Sequence, residues 1–409
     1  MDPAGPSRRE SFRFWLKLGF ISFGGPAGQI AIMHREVVER RRWLDDRAFM
    51  HALNVCMLLP GPEALQLAIW LGWRLHGAAG GIVAGLCFIL PAMVLLLGLS
   101  FVYALHGEVP LIAAALMGLQ ATVIALIAQA LLRLARRALL HPLHWLLAAA
   151  ALVLMVGRLA PFPLLLAVAA LAGMLAGRSN GTPAPVAPVA FPWRSLGTGL
   201  ALWVLPVVGI LALAGPDSLY ADIYRFFTTA ALITFGGAYA VLAWVSQQVV
   251  EIHGWLTQAQ TVAGLALAET TPGPLIIVLQ FIGFMAGWNH AAGVDAAATA
   301  TTTALLASWA TFLPSFVFIL VGAPYVERLA SNARAAGALA GITAAVVGVI
   351  GSLAIAFGRG VLFPDGFAAP DWGAIAIATA ALVVLERTRV DVLWVIAGGA
   401  LAGLALGVA

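Results

Sequence analysis

Apolar stretches of about twenty residues or more recur along the whole of this chain, separated by short polar connections. At about 1.5 Å rise per residue each suits a hydrocarbon-spanning helix, and none shows the alternation of a barrel strand. In the first half they cover residues 11–33, 47–74, 79–104, 110–133, 143–157 and 160–177. The last two are short for a full span, as are those near 373–386 and 391–408, so tilted or partly penetrating helices are expected there.

The pattern then repeats. Phe23-Gly24-Gly25 recurs as Phe235-Gly236-Gly237, Pro60-Gly61-Pro62 as Pro272-Gly273-Pro274, and Trp43-Leu44 as Trp255-Leu256, all at an offset of 212. Leu90-Pro91 and Leu313-Pro314, Gly118 and Gly341, and Arg136 and Arg359 follow at 223, and residues 170–173 and 400–403 at 230. Such conserved spacing marks two homologous halves, residues 1–177 and 221–409. The intervening 178–220 holds a linker, with Pro183, Pro185, Pro188 and Pro192 among Ser, Asn and Thr, and then an extra apolar helix near 196–214. One additional crossing between two equal copies turns the second upside down. The fold expected is an all-α polytopic membrane protein of about thirteen apolar segments in two inverted-topology repeats, the plan of many secondary transporters.

Composition excludes a soluble chain: 62% of residues are hydrophobic and 10% charged. Cys56 and Cys87 lie in apolar stretches and offer neither a disulfide framework nor metal spacing, and no cofactor is implied. His34, His51 and His76 stand near helix ends at spacings that fit no metal-ligand set. The N-terminus is short and polar, a poor signal peptide, and is expected to be retained. The net charge of +4 is gathered in local clusters, which bears on orientation in the bilayer and on anions, with no reason to invoke nucleic acid.

Charge placement also selects a topology. Thirteen simple crossings would leave 8 of the 22 Lys and Arg residues outside. If the first two stretches of each half are hairpins that enter, break and return, 19 lie inside and only Arg158, Arg225 and Arg359 outside, as the positive-inside rule prefers. Where the first copy carries the basic run from Arg35 to Trp43, the second has residues 247–255 with no Lys or Arg.

The breaks carry the candidate chemistry. Gly24-Gly25-Pro26 and Pro60-Gly61-Pro62 interrupt apolar stretches, where freed backbone groups need protein or a polar cavity. Each break restarts a helix whose free N–H groups and positive dipole end point into the membrane interior, a ready anion site. Inverted copies would bring four such termini to one point, enough for a small dianion. The alternative, proline kinks or small-residue contacts, is disfavoured by four breaks at matched positions. Beside the breaks lie Ser22, Phe23 and Gln29, Asn54 and Gln66, Thr234 and Phe235, Thr270 and Thr271, and Gln280, whose hydroxyl and amide groups suit a tetrahedral oxyanion. The hydroxyls could equally bond back to their own helices. Glu63 and Glu269 flank the two Pro-Gly-Pro breaks and are candidates for proton coupling, although Glu63, next to Pro62, could be a helix cap. Arg35, Arg41 and Arg42 are either a cytoplasmic anion funnel or a topology anchor.

At these residues the chain resembles the chromate ion transporter family in its two-domain form, over nearly its whole length. The resemblance rests on Phe23 to Pro26 with Gln29-Ile30, Arg35-Glu36-Val37-Val38 running into Arg41 to Leu44, Leu58 to Gln66 reading LLPGPEALQ, and in the second half Phe235 to Gly237 and Ala268 to Pro274 reading AETTPGP. It implies a multi-pass protein of the bacterial inner membrane that exports chromate, with sulfate as a related anion that competes or is carried, and it leaves chromate resistance against sulfate movement open. The second half reads Gly237-Ala238 where the first has Gly25-Pro26, so a softer break is expected there. A membrane enzyme is the competing class; there is no paired nucleophile and base, no metal set and no nucleotide loop. The partners implied are the transported anions and the lipid bilayer, and association into a homodimer is left open.

Overall fold

The computed structural model describes residues 6–176, 191–235, 237–291, 295–322, 333–388 and 390–407. Pro183, Pro185, Pro188 and Gly236 lie outside the described residues. Every regular element described is helical. In the first half these are α1 (Arg8–Ile21), α2 (Gly25–His34), α3 (Asp46–Leu58), α4 (Glu63–His106), α5 (Pro110–Ala138), α6 (Pro142–Val156) and α7 (Phe162–Ala176). The connecting helix is α8 (Trp193–Leu213). The second half contains α9 (Leu219–Leu232), α10 (Ala238–Gln247), α11 (Gln258–Glu269), α12 (Val278–Asn289), α13 (Ala296–Gly322), α14 (Ala333–Leu362), α15 (Trp372–Arg387) and α16 (Val392–Gly407). Each apolar stretch of the sequence maps onto one of these or onto a pair separated by a break, which is the architecture of a polytopic two-repeat membrane protein.

The first two stretches of each half are hairpins. Glu10 at the start of α1 pairs with Arg41 beyond α2 at 3.0 Å, so the chain returns to where it entered. α4 leaves helical geometry at His76 and Gly77, with Gly77 at φ 67, and doubles back so that Gly72 lies against Gly80. His76 meets Ser11 of α1 at 2.8 Å, which brings the end of the second hairpin to the same face. Thirteen simple crossings would separate Glu10 from Arg41 by the full membrane. In the second half Asn289, at the end of α12, donates to the carbonyl of Trp255 at 2.9 Å, repeating the arrangement. Phe14 meets Trp43 edge-on at 5.4 Å and 89°, and their repeat mates Phe226 and Trp255 meet at 5.4 Å and 90°. The two copies are therefore built alike down to aromatic contacts.

Polar contacts sort the connections into two faces. Glu10–Arg41, Ser11–His76 and Arg136–Glu386 gather on the arginine-rich face; Arg158–Glu251 and Trp255–Asn289 gather on the other. Between the faces the copies cross on small residues. Gly118 of α5 lies against Gly399 and Gly403 of α16, and Gly341 of α14 against Gly173 and Ala169 of α7, with no room for a Cβ at either crossing. Close backbone approach of this kind is how helices pack where apolar burial gives no drive. α8 buries little and turns Leu200, Val204, Leu205 and Leu213 outward, as suits a helix facing lipid.

Candidate functional site

All four breaks meet at the centre. The amide of Gly61 donates to the carbonyl of Thr234 at 2.8 Å, and the amide of Gly273 to the carbonyl of Ser22 at 2.8 Å. Each Pro-Gly-Pro break is thus tied to the Phe-Gly-Gly break of the other copy. Gly25 (φ 70), Gly61 (φ 123), Gly237 (φ 99) and Gly273 (φ 105) hold positive φ, a conformation glycine adopts without a Cβ penalty. The softer second break expected from Gly237-Ala238 is not seen: helix ends at Leu232 and restarts only at Ala238, because Gly237 turns the chain without a proline.

A cavity of about 20 Å³, room for about one water, lies where the helices restart. Its walls include Pro26, Pro62, Gly237, Ala238 and Pro274, with Gln29, Glu63 and Thr234. The N-termini of α2, α4, α10 and the turn leading into α12 all open on it, and none has a side-chain cap. Most helices that start at the two faces differ: Ser7, Asp45, Ser218, Thr257 and Asp371 cap α1, α3, α9, α11 and α15, whereas α5 and α8 start without a side-chain cap. First-turn amides at the centre are therefore left for something else to satisfy. With roughly half a positive charge at each terminus, four supply about +2, the complement of a dianion.

The side chains divide by role. Gln29 donates from Nε2 to the carbonyls of Ser22 (3.1 Å) and Gly273 (2.5 Å), and its buried Oε1 has no partner among the described residues. Gln66 donates to the carbonyl of Pro60 at 2.7 Å and leaves Oε1 unpaired, as Ser315 leaves its hydroxyl, both close to Gly61. The hydroxyl protons of Ser22, Thr234, Thr270 and Thr271 go to carbonyls of their own helices at 2.5, 2.6, 2.7 and 2.8 Å, so they offer the centre only lone pairs. Gln280 holds α12 to the Met93 carbonyl of α4 (2.8 Å) and to Ser308 of α13 (3.0 Å), away from the cavity walls. Phe23, Phe235 and Pro272 flank the breaks without lining the cavity, and Asn54 is exposed on α3.

One residue that sequence reasoning missed completes the neighbourhood. Tyr239, in the first turn of α10, donates its hydroxyl to Oε1 of Glu269 at 2.5 Å. The repeat offset held a signal: Tyr239 stands opposite Ala27 and Glu269 opposite Met57, so the second copy alone is polar at both positions.

On the arginine-rich face Arg41 is committed. It pairs with Glu10 at 3.0 Å and Glu36 at 3.5 Å, and its guanidinium lies 5.2 Å over Phe14 and 4.9 Å over Trp43, the contacts of an anchor. Burial opposes the charged form of Glu36, yet hydrogen bonds and the charges of Arg40 and Arg41 hold its carboxyl below the usual value of 4.5. Arg35 and Arg42 remain exposed, Arg42 at φ 53.

The copies differ in how tightly their hairpins pack. Met50, Asn54 and Met57 form an exposed face of α3, while their mates Val262 and Ala266 on α11 are fully buried and Glu269 is half-buried. α11 packs along α5, whereas the equivalent pair, α3 and α14, is in loose contact.

The chain matches the chromate transporter family over residues 9–174 and 221–404. It is similar to a chromate transport protein of Pseudomonas aeruginosa, 34% identical over 86% of this chain and 82% of that protein. A probable chromate transport protein of Synechococcus elongatus is 30% identical over 86% and 85% of the two chains. A chromate transport protein of Cupriavidus metallidurans is 29% identical over 97% of this chain and 92% of its own length. No solved structure matches.

Proposed function

This chain belongs to the chromate transporter family, and from that premise we propose that it exports chromate across the bacterial inner membrane by alternating access at the central cavity. The observation that carries the reading is the set of four uncapped helix N-termini lining one cavity between two repeats. In this reading backbone amides bind the dianion, Gln29 and Gln66 shape the site, and the remaining residues flanking the breaks set its width. The second repeat is inverted, with the arginine-rich face in the cytoplasm. That orientation is supported by the helix count across α8 and by the 19 to 3 division of Lys and Arg. At about 20 Å³ the cavity is too small for a tetrahedral oxyanion, so loading requires the hairpins to part. The unequal packing of α3 and α11 supports a state entered from the arginine-rich face; the opposite state has the mates exchanged.

Energetics favour export. Moving one charge through 100 mV is worth about 2.3 kcal/mol, so a dianion leaving an inside-negative cell gains roughly 4.6 kcal/mol. Proton exchange through Glu269, held by Tyr239, would add to this, and the result is chromate resistance. Sulfate shares charge and shape and competes for or shares the path. Chromate accumulation in everted vesicles tests the reading: it should exceed that of vesicles lacking the protein, rise with an inside-positive potential and fall when sulfate is added outside. Accumulation equal to the empty control overturns it.

A further inference from the structure

A second cavity, of about 470 Å³, opens on the face opposite the arginine cluster. The ends of α6, α10, α11 and α14 form it, and Arg158, Glu251 and Arg359 are the charged groups that line it. Arg158 is paired with Glu251, so the cavity keeps one positive charge in excess, that of Arg359. Arg359 lies 5.5 Å over the Phe367 ring and has no carboxylate partner among the described residues. Most neutral donors of the wall are spent: Gln258 on the carbonyl of Ala356 (2.7 Å), Ser246 on Ala243 (3.1 Å) and Ser352 on Val349 (2.7 Å). Arg359, Gln247 and the second Nε2–H of Gln258 are the donors left to turn inward.

Comparison of the copies shows that this free cation is specific to one face. Arg136, the mate of Arg359, is closed by Glu386 at 3.0 Å. At the offset of 230 the mate of Glu386 is Val156, which lines the cavity. One face thus neutralises its guanidinium, and the other presents it in a chamber of a size that holds small ligands. A guanidinium offers a rigid fork of N–H donors that fits tetrahedral oxyanions, and the bonds it makes to them are charge-assisted.

We propose that this chamber is an oxyanion site separate from the centre, in which a divalent tetrahedral oxyanion such as sulfate docks on Arg359 and Gln247 and draws Arg158 from Glu251. It would hold the anion at the mouth of the path, and its occupancy does not depend on transport.

The test is thiol protection at the chamber wall. Ser352→Cys, in a background lacking Cys56 and Cys87, is labelled with a maleimide in purified protein while sulfate is titrated against chloride at equal ionic strength. Sulfate should slow labelling where chloride does not, and Arg359→Gln should require roughly tenfold more sulfate or beyond for the same protection. Glu251→Gln, which keeps Arg359 and frees Arg158, should require less sulfate; it decides the matter should Arg359→Gln fail to fold. Equal protection by chloride, an unchanged sulfate requirement in Arg359→Gln, or an unchanged or higher one in Glu251→Gln overturns the proposal. Failure of chromate flux would leave this result untouched.

Discussion

Gly61 and Thr234 are joined by an amide-to-carbonyl hydrogen bond of 2.8 Å, and their repeat mates Gly273 and Ser22 are joined the same way. Such reciprocity is the mark of a two-fold relation between the copies. It ties each Pro-Gly-Pro turn to the other copy, so a hairpin that shifts either carries the opposite break with it or gives up this bond.

Substitution at these glycines should act on backbone and packing together. A Cβ on Gly61 would fall 2.6 Å from the Ser315 hydroxyl, and one on Gly273 would fall 2.8 Å from Cβ of Ala92, in both cases at positive φ. Backbone strain of roughly 1–3 kcal/mol and overpacking of similar size are expected. Gly61→Leu and Gly273→Leu should abolish chromate flux while protein remains in the membrane, with a lowered melting temperature in detergent. Flux at the wild-type level in either would show that its turn is only a kink.

Arg40 and Ile252 are repeat mates at the ends of the π-helical segments that follow α2 and α10, and both are exposed. With the second copy inverted they face opposite sides. Single cysteines there, probed with an impermeant thiol reagent on intact cells, should label at Ile252 and not at Arg40. Equal labelling from one side contradicts the inversion.

Tyr239 holds the Glu269 carboxyl beside the second Pro-Gly-Pro break, just off the central cavity, whose wall carries Glu63 of the first copy. Glu269→Gln should give chromate flux that is the same at pH 6 and pH 8 yet still runs down a gradient, since shape is kept and a titrating group lost. Glu63→Gln should keep the wild-type pH response, because among the described residues no hydroxyl or cation holds Glu63 as Tyr239 holds Glu269. A wild-type pH response in Glu269→Gln rules out its role.

Glu36 gives a stability prediction on the arginine-rich face. A carboxyl whose folded pKa is depressed stabilises the fold above its unfolded pKa and loses that contribution as pH falls through the folded value. Its contribution is therefore complete at neutral pH and disappears only below pH 4.5. Glu36→Gln should lower the melting temperature at pH 7 and abolish its share of the acid decline; an unchanged acid profile would contradict this.

Much of this was legible in the sequence for definable reasons. Apolar length set the spans, and glycine and proline inside apolar runs set the breaks, because hydrocarbon tolerates few such interruptions. The hairpins were legible through Arg35 to Arg47, whose charge must stay on one side. Partner choice was not. Whether Ser22 donates to Leu18 or to a ligand, and whether Gln280 faces the centre or Met93, depends on rotamers and neighbouring helices that local pattern does not encode. Tyr239 escaped because its partner lies thirty residues away, and Arg359 because a free guanidinium is recognised only beside its closed mate, Arg136.

Alternating access between repeat mates is tested most directly by paired cysteines at Asn54, exposed on α3, and Ala266, its buried mate on α11. In vesicles of known orientation, Asn54→Cys should label from the arginine-rich face and Ala266→Cys hardly at all. Supplying sulfate with a potential that drives the anion outward should reverse this, protecting Asn54→Cys and exposing Ala266→Cys to the opposite face. Labelling of both sites that is indifferent to anion and potential would contradict the account.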